Sequence, residues 1–187
     1  MGEGLRRLNV PRNQYVVSTK LFWGAEQYCP TLRGLSRKHI IEGARNSLKR
    51  LGLDYVDVIF CHRPDHITPM EEVCRAFDWL IRKGLVFYWG TSEWRADDIA
   101  EAHYICEKYG LAKPVVEQPE YNLYNRKKIE IEYADLFKDK KLGTTIWSPL
   151  LSGILTGKYN KGIPEGSRIA KTAYLEKIYQ RYFVEKK

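Results

Sequence analysis

Five short, largely apolar stretches of this sequence each run directly into chemically capable side chains. Lys20 follows residues 15–19. His62, Arg63 and Asp65 follow residues 55–60, and Thr91, Ser92 and Glu93 follow residues 85–90. Gln118 and Glu120 come after residues 114–117, and Ser148 after residues 143–147. If the five stretches are neighbouring strands, these groups line one pocket, where protons could be moved and a polar ligand held. Any strand leaving a core must end in polar loop residues, which would account for the polarity alone. It does not account for Lys20, a cation placed immediately after an apolar strand.

The elements that would position these groups alternate. The five stretches are short, rich in β-branched and aromatic residues, and read as strands. Helical patterns separate them. Ser36 can cap a helix whose apolar face is Ile40, Ile41, Ala44, Leu48 and Leu51, with Gly52 at its C-terminus. Thr68-Pro69-Met70-Glu71 predicts a second helix start, with Thr68 as cap, Pro69 first and Glu71 closing a capping box; the helix carries Val73, Ala76, Phe77, Leu80 and Ile81 and stops at Gly84. A third carries Ile99, Ala102, Cys106 and Tyr109 and stops at Gly110, and a fourth is expected near residues 127–140. Strand starts about 30–40 residues apart with helices between them imply parallel strands joined by right-handed crossovers. A doubly wound dinucleotide fold would show G-x-G-x-x-G after a strand, and none is present. A (β/α)8 barrel instead places its chemistry at the C-terminal ends of many strands, which is the pattern here. Only five of eight strands are accounted for, so the expectation is one incomplete barrel domain over residues 1–187.

Composition excludes other classes. The 187 residues are 44% hydrophobic and 29% charged, a globular balance. No run of about 18 apolar residues is present, and the N-terminal residues do not read as a signal peptide. Cys29, Cys61, Cys74 and Cys106 form no C-x-x-C pair or zinc spacing and read as reduced thiols of a cytosolic protein. The net charge of +8 comes from 31 basic and 23 acidic residues, interleaved except in the tail, where Lys177, Arg181, Lys186 and Lys187 meet only Glu176 and Glu185. Without a nucleic-acid motif, this charge does not argue for nucleic-acid binding. His39, His66 and His103 lack any chemical context and read as surface residues.

Longer motifs carry a resemblance. Ser18-Thr19-Lys20-Leu21-Phe22-Trp23-Gly24, the run from Arg33 to Ile40, Leu53-Asp54-Tyr55-Val56-Asp57-Val58 and Cys61-His62-Arg63-Pro64-Asp65 occur in order. They continue through Thr68-Pro69-Met70-Glu71-Glu72, Tyr88-Trp89-Gly90-Thr91-Ser92-Glu93-Trp94 and Glu117-Gln118-Pro119-Glu120-Tyr121-Asn122. Trp147-Ser148-Pro149-Leu150, Gly157-Lys158-Tyr159 and Ser167-Arg168 complete the series. The chain thus resembles the aldo-keto reductases of the voltage-gated potassium channel β-subunit type, closest to plant-type members, from residue 1 to about residue 174.

That resemblance implies a (β/α)8 TIM barrel, truncated here at both ends, that binds NADPH and reduces aldehydes and ketones. It implies a cytoplasmic protein, peripheral to the membrane through a channel α subunit, whose full-length parent is a homotetramer serving ion transport. Of the family's Asp, Tyr, Lys and His tetrad, Lys20 matches the Lys and His62 the His. A lysine ammonium beside a tyrosine favours the phenolate and makes the tyrosine a better acid near neutral pH; His62 would hold the substrate oxygen. By the resemblance the family's Asp and Tyr belong to a segment expected before Met1, and Tyr15, Tyr55 and Tyr88, in strands, and Tyr28, in a loop, do not match the proton donor. By resemblance Ser92 and Gln118 hold the nicotinamide carboxamide and Trp147 stacks near its face. Ser148, Pro149, Leu150, Ser152 and Gly153 run along the pyrophosphate, with Lys158 and Arg168 supplying charge. The other readings are a regulatory channel-binding subunit, or a truncated fragment without catalysis.

Overall fold

The structure, a computed structural model, describes residues 1–24 and 29–184; Tyr28, Glu185, Lys186 and Lys187 lie outside the described residues. The described strands are β1 (Ser18–Leu21), β2 (Val56–Cys61), β3 (Val86–Thr91), β4 (Val116–Glu117) and β5 (Gly143–Thr144). They form one sheet in the order β1-β2-β3-β4-β5, every pair parallel. The α-helices are α1 (Gly2–Arg7), α2 (Arg37–Leu51), α3 (Met70–Arg82), α4 (Ala96–Tyr109), α5 (Ala134–Lys140) and α6 (Ala173–Tyr179). Successive β/α units in sequence order are the arrangement of a (β/α)8 barrel, of which the five described strands make an unclosed part.

The first four strands begin one to three residues later than their apolar runs, and β5 begins at Gly143 as expected but ends after Thr144. Val17 is buried, but its N–H donates to the Asp57 carboxylate (2.7 Å) rather than to a ladder partner, so β1 begins at Ser18. Lys20 therefore lies within β1 rather than after it. Residues of α2, α3 and α4 pack as expected: Ile40, Ala44 and Leu48 from α2, Val73, Ala76, Phe77 and Leu80 from α3, and Ile99, Ala102 and Cys106 from α4 are buried. Trp89 of β3 turns outward and stacks on Phe77 with ring centres 4.7 Å apart, while its indole N–H donates to the Ala112 carbonyl at 2.8 Å.

Ser36 caps α2 by accepting from the His39 N–H at 3.2 Å, and Gly52 and Gly110 end α2 and α4 in the left-handed conformation. The capping box at α3 does not form. Thr68 instead donates its hydroxyl to Asp65 at 2.8 Å, leaving Pro69 as the capping position. The fourth expected helix is broken at Tyr133 into a wide turn (Lys128–Glu132) and α5, because Tyr133 buries its ring and donates its hydroxyl to the Trp94 carbonyl at 2.5 Å. His39 and His103 are buried, not on the surface, since both point from α2 and α4 into packed layers.

The chain divides into two compact units. One comprises Met1–Pro119 with Tyr133–Thr145 and holds the sheet and α1 to α5. The other comprises Glu120–Glu132 with the residues from Ile146 on. The second has its own core of Leu151, Ile154, Tyr159, Ile169, Leu175 and Tyr179, and Tyr179 donates to the Tyr159 carbonyl at 3.3 Å.

Candidate active site and cofactor cavity

In the first unit Lys20 and His62 occupy the C-terminal ends of adjacent strands. Lys20 is in register with Phe60, two residues before His62, and the His62 N–H donates to the Leu21 carbonyl at 2.9 Å. Side chains alternate along a strand, so Lys20, Phe60 and Ser18 belong to one face of the sheet. The Lys20 ammonium lies 5.5 Å from the Phe60 ring centre. Burial lowers the Lys20 pKa, and the Arg63 guanidinium lowers it further. Burial, then Arg63 and Lys20, lower the pKa of His62. His62 is thus held toward its neutral form, in which one ring nitrogen donates and the other accepts. Trp23 meets the imidazole edge-on at 6.4 Å, and Arg33 in turn covers Trp23 at 4.4 Å.

Two loops converge on this pair and are tied by one carboxylate. Asp65 accepts from the Leu35 N–H (2.7 Å), the Ile67 N–H (3.0 Å) and the Thr68 hydroxyl (2.8 Å). Burial alone would raise its pKa; the bonds from Leu35, Ile67 and Thr68 outweigh this and lower it. Gly34, at φ +86°, makes the approach possible: a Cβ there would sit 2.7 Å from an Asp65 oxygen.

Ser92 is buried and donates its hydroxyl to the Gln118 carbonyl at 2.9 Å. The Gln118 amide donates to Thr145 at 3.1 Å. Of the two, Gln118 faces an open groove of about 240 Å³ on the sheet's inner face, shared with Ser18, Val58, Phe60 and Tyr88. Glu117 points the other way, fully buried, and accepts from the Thr91 hydroxyl.

In the second unit, Trp147, Ser148, Pro149, Leu150, Ser152, Gly153 and Arg168 line one cavity of about 510 Å³. Ser148, Leu151 and Ser152 have positive φ without being glycine, followed by Gly153 at +97°. Strained backbone of this kind clusters at ligand sites and can turn N–H groups toward an anion. Asn122 pins the loop, donating to the Ser148 carbonyl at 3.2 Å and to Glu120 at 3.1 Å. Lys158 does not join this cavity: it is exposed, with its ammonium 5.7 Å from the Tyr159 ring centre. Among the described residues no cluster of metal-ligating side chains occurs, and no helix is long and apolar enough to cross a membrane.

A model of the aldo/keto reductase family matches residues 1–183. The chain belongs to the aldo/keto reductase family. It is 56% identical over 175 residues to a probable voltage-gated potassium channel subunit beta of Oryza sativa subsp. japonica, covering 93% of this chain and 53% of that protein. It is 56% identical over 172 residues to a putative voltage-gated potassium channel subunit beta of Schizosaccharomyces pombe, covering 92% and 50%. A probable voltage-gated potassium channel subunit beta of Arabidopsis thaliana is 54% identical over 175 residues, covering 93% and 53%. The chain spans about half the length of these relatives.

For this aldo/keto reductase chain, the sequence reading gave no individual role to three contributors. Arg63 was visible beside His62, but only its proximity to both Lys20 and His62 makes it a charge that acts on each. Asp65 and Asn122 work by accepting or donating to backbone, which no spacing rule signals.

Proposed function

We propose that this chain forms part of an NADPH-dependent oxidoreductase that reduces aldehydes or ketones, with Lys20 and His62 at the reacting carbonyl. The observation that carries the reading is the cavity that gathers seven of the residues expected to hold the cofactor. Its donor set suits a diphosphate: two serine hydroxyls, a guanidinium and left-handed backbone. When bound there, NADPH supplies the hydride. Trp147, 37% exposed, lines the cavity and would stack near the nicotinamide. Gln118, which lines the groove on the sheet's inner face, would bond the carboxamide. His62, kept neutral by burial and by the Arg63 and Lys20 charges, donates one N–H to the substrate oxygen and holds it in place. Lys20 stabilises negative charge on a proton-donating phenol. Tyr88, on the same face but one step deeper than Lys20, is the tyrosine of this chain nearest in register to that task.

A second role in the same protein is that of a potassium channel subunit, which the names of the relatives support; the family resemblance would make it a cytoplasmic tetramer in which the bound cofactor reports redox state.

Calorimetric titration of the 187-residue chain with NADPH tests the cofactor reading. Arg168→Gln is expected to weaken binding about 10-fold or more, the value of a charge-assisted hydrogen bond. An unmodified chain that binds no NADPH rejects the reading. For the reaction, the chain by itself is expected to reduce a reactive aldehyde about 10²–10⁴-fold more slowly than a longer relative, since no tyrosine matches the family's acid. Equal turnover, lost in Lys20→Met, would place the acid within this chain and make Tyr88→Phe decisive.

A further inference from the structure

Glu117 is fully buried in the first unit and takes no part in the chemistry described so far. It lies on β4, on the opposite face from Gln118, which lines the inner groove. A carboxylate is costly to bury, and an apolar residue of similar volume would pack as well or better. What the carboxylate adds is direction. Glu117 and Thr91 are register partners across β4 and β3, and one Glu117 oxygen accepts from the buried Thr91 hydroxyl. The other oxygen lies 3.4 Å from the Tyr133 hydroxyl. Tyr133 is itself buried and donates to the Trp94 carbonyl in the loop after β3. The carboxylate thus joins three segments: the end of β3, the end of β4 and the break before α5. β4 is only two residues long. Its main chain reaches β3 through the Val115 N–H, donated to the Trp89 carbonyl at 3.0 Å, and the Gln118 N–H, donated to the Thr91 carbonyl at 2.8 Å.

We propose that Glu117 is a positioning residue: through Thr91 it fixes the ends of β3 and β4, so that Gln118, braced by Ser92, accepts a hydrogen bond from the carboxamide N–H2 of the nicotinamide. The inference rests on the cofactor reading above and adds to it a residue that touches no ligand. Thr91 immediately precedes Ser92, and Glu117 immediately precedes Gln118. A bond between the first pair therefore sets the stagger of the second. The second pair is already engaged: the Ser92 hydroxyl donates to the Gln118 carbonyl at 2.9 Å, and the Gln118 amide donates to Thr145 at 3.1 Å. These bonds occupy the Ser92 proton and one Gln118 N–H, and leave the Gln118 side-chain oxygen to accept from an incoming donor. Hydrogen bonds span a narrow range of length, so a slip of about 1 Å between β3 and β4 is enough to lose that contact.

The test is titration of the 187-residue chain with NADP⁺ and with its 3-acetylpyridine analogue, in which a methyl group replaces the carboxamide NH2. The unaltered chain is expected to bind NADP⁺ about 5-fold more tightly or better, the value of one hydrogen bond. Thr91→Val keeps the shape and deletes the hydroxyl; it should abolish that preference while affinity for the analogue stays within about 2-fold. Thr91→Ser keeps the hydroxyl and should keep the preference, an outcome that a packing role for Thr91 would not give. Glu117→Leu should match Thr91→Val, and combining the two should add nothing further, as for residues that act through one bond. If Glu117→Leu does not fold, the two Thr91 variants decide the question by themselves. A preference retained in Thr91→Val, or lost equally in Thr91→Ser, overturns the assignment and leaves the cofactor reading intact. Equal affinity of the unaltered chain for the two dinucleotides does the same. An unaltered chain that binds neither rejects the cofactor reading, and the assignment with it.

Discussion

At the scale of single residues, Asp65 makes the sharpest case. Its carboxylate joins the loop after β1, through Leu35, to the loop after β2, through Ile67 and Thr68. Both loops adjoin His62. Asp65→Ala leaves those donors unmatched and is expected to cost about 1–3 kcal/mol in denaturant unfolding. Asp65→Asn, which keeps one carbonyl oxygen, should cost less. Its depressed pKa adds a pH signature: the stabilisation is present above about pH 3.8 and is lost as pH falls through the lower folded-state value. A chain whose melting below pH 4 is unaffected by Asp65→Ala would show that the clamp does not act as described. Lys20 and His62 were legible from residue type at strand ends. Asp65 was visible only as a polar residue, because its work is done on backbone groups 30 residues away. His39 and His103 were misread for a related reason, since a polar side chain on a helix looks solvent-facing until the neighbouring layer is known.

At the scale of elements, the strand–helix alternation was readable because its periodicity repeats four times, while the boundaries were not. Runs of β-branched residues mark where a strand can exist; hydrogen-bond partners decide where it does. Val17, whose N–H is taken by Asp57, moves the start of β1, and Thr68, whose hydroxyl goes to Asp65, removes an expected capping box. Ser36→Ala deletes the cap that does form and should destabilise by about 1 kcal/mol. Gly90 offers a stronger test. A Cβ there would lie 2.4 Å from the Val116 carbonyl and 3.1 Å from the Phe60 ring. Gly90→Ala must therefore push β4 away from β3, and with it Gln118. Proton exchange at the Gln118 amide, bonded to Thr91 at 2.8 Å, should accelerate markedly. Unchanged protection would mean that the ladder tolerates the methyl group.

For the whole molecule, three buried or half-buried histidines titrate in the same direction. Burial is the largest cause of the lowered pKa in His39, His62 and His103; Arg63 and Lys20 add to it at His62, and Lys140 and Lys113 add to it at His103 against Glu107. A pKa depressed in the folded state means that the unfolded chain binds the proton first. Stability is therefore full above about pH 6.5 and falls as pH drops through the lower folded-state values. Melting temperatures between pH 8 and pH 5 should decline, and replacing His103 by Gln should flatten that decline; a pH-independent profile would contradict the burial. The two-unit arrangement was not legible at all, because the second core draws on Leu151, Ile154, Tyr159 and Ile169 in irregular segments with no regular period.

The placement of the tryptophans gives the molecule a built-in spectral separation. Trp89 and Trp94 are sealed from water, at 0% and 1% exposure, whereas Trp23 and Trp147 are 51% and 37% exposed. The sealed pair should emit at shorter wavelength and resist acrylamide, and the exposed pair should emit at longer wavelength and be quenched. Trp23 sits beside His62 and Trp147 lines the cavity proposed for the cofactor. Occupancy of either place should therefore dim the red side of the emission band and leave the blue side, the light of the packed sheet, almost unchanged.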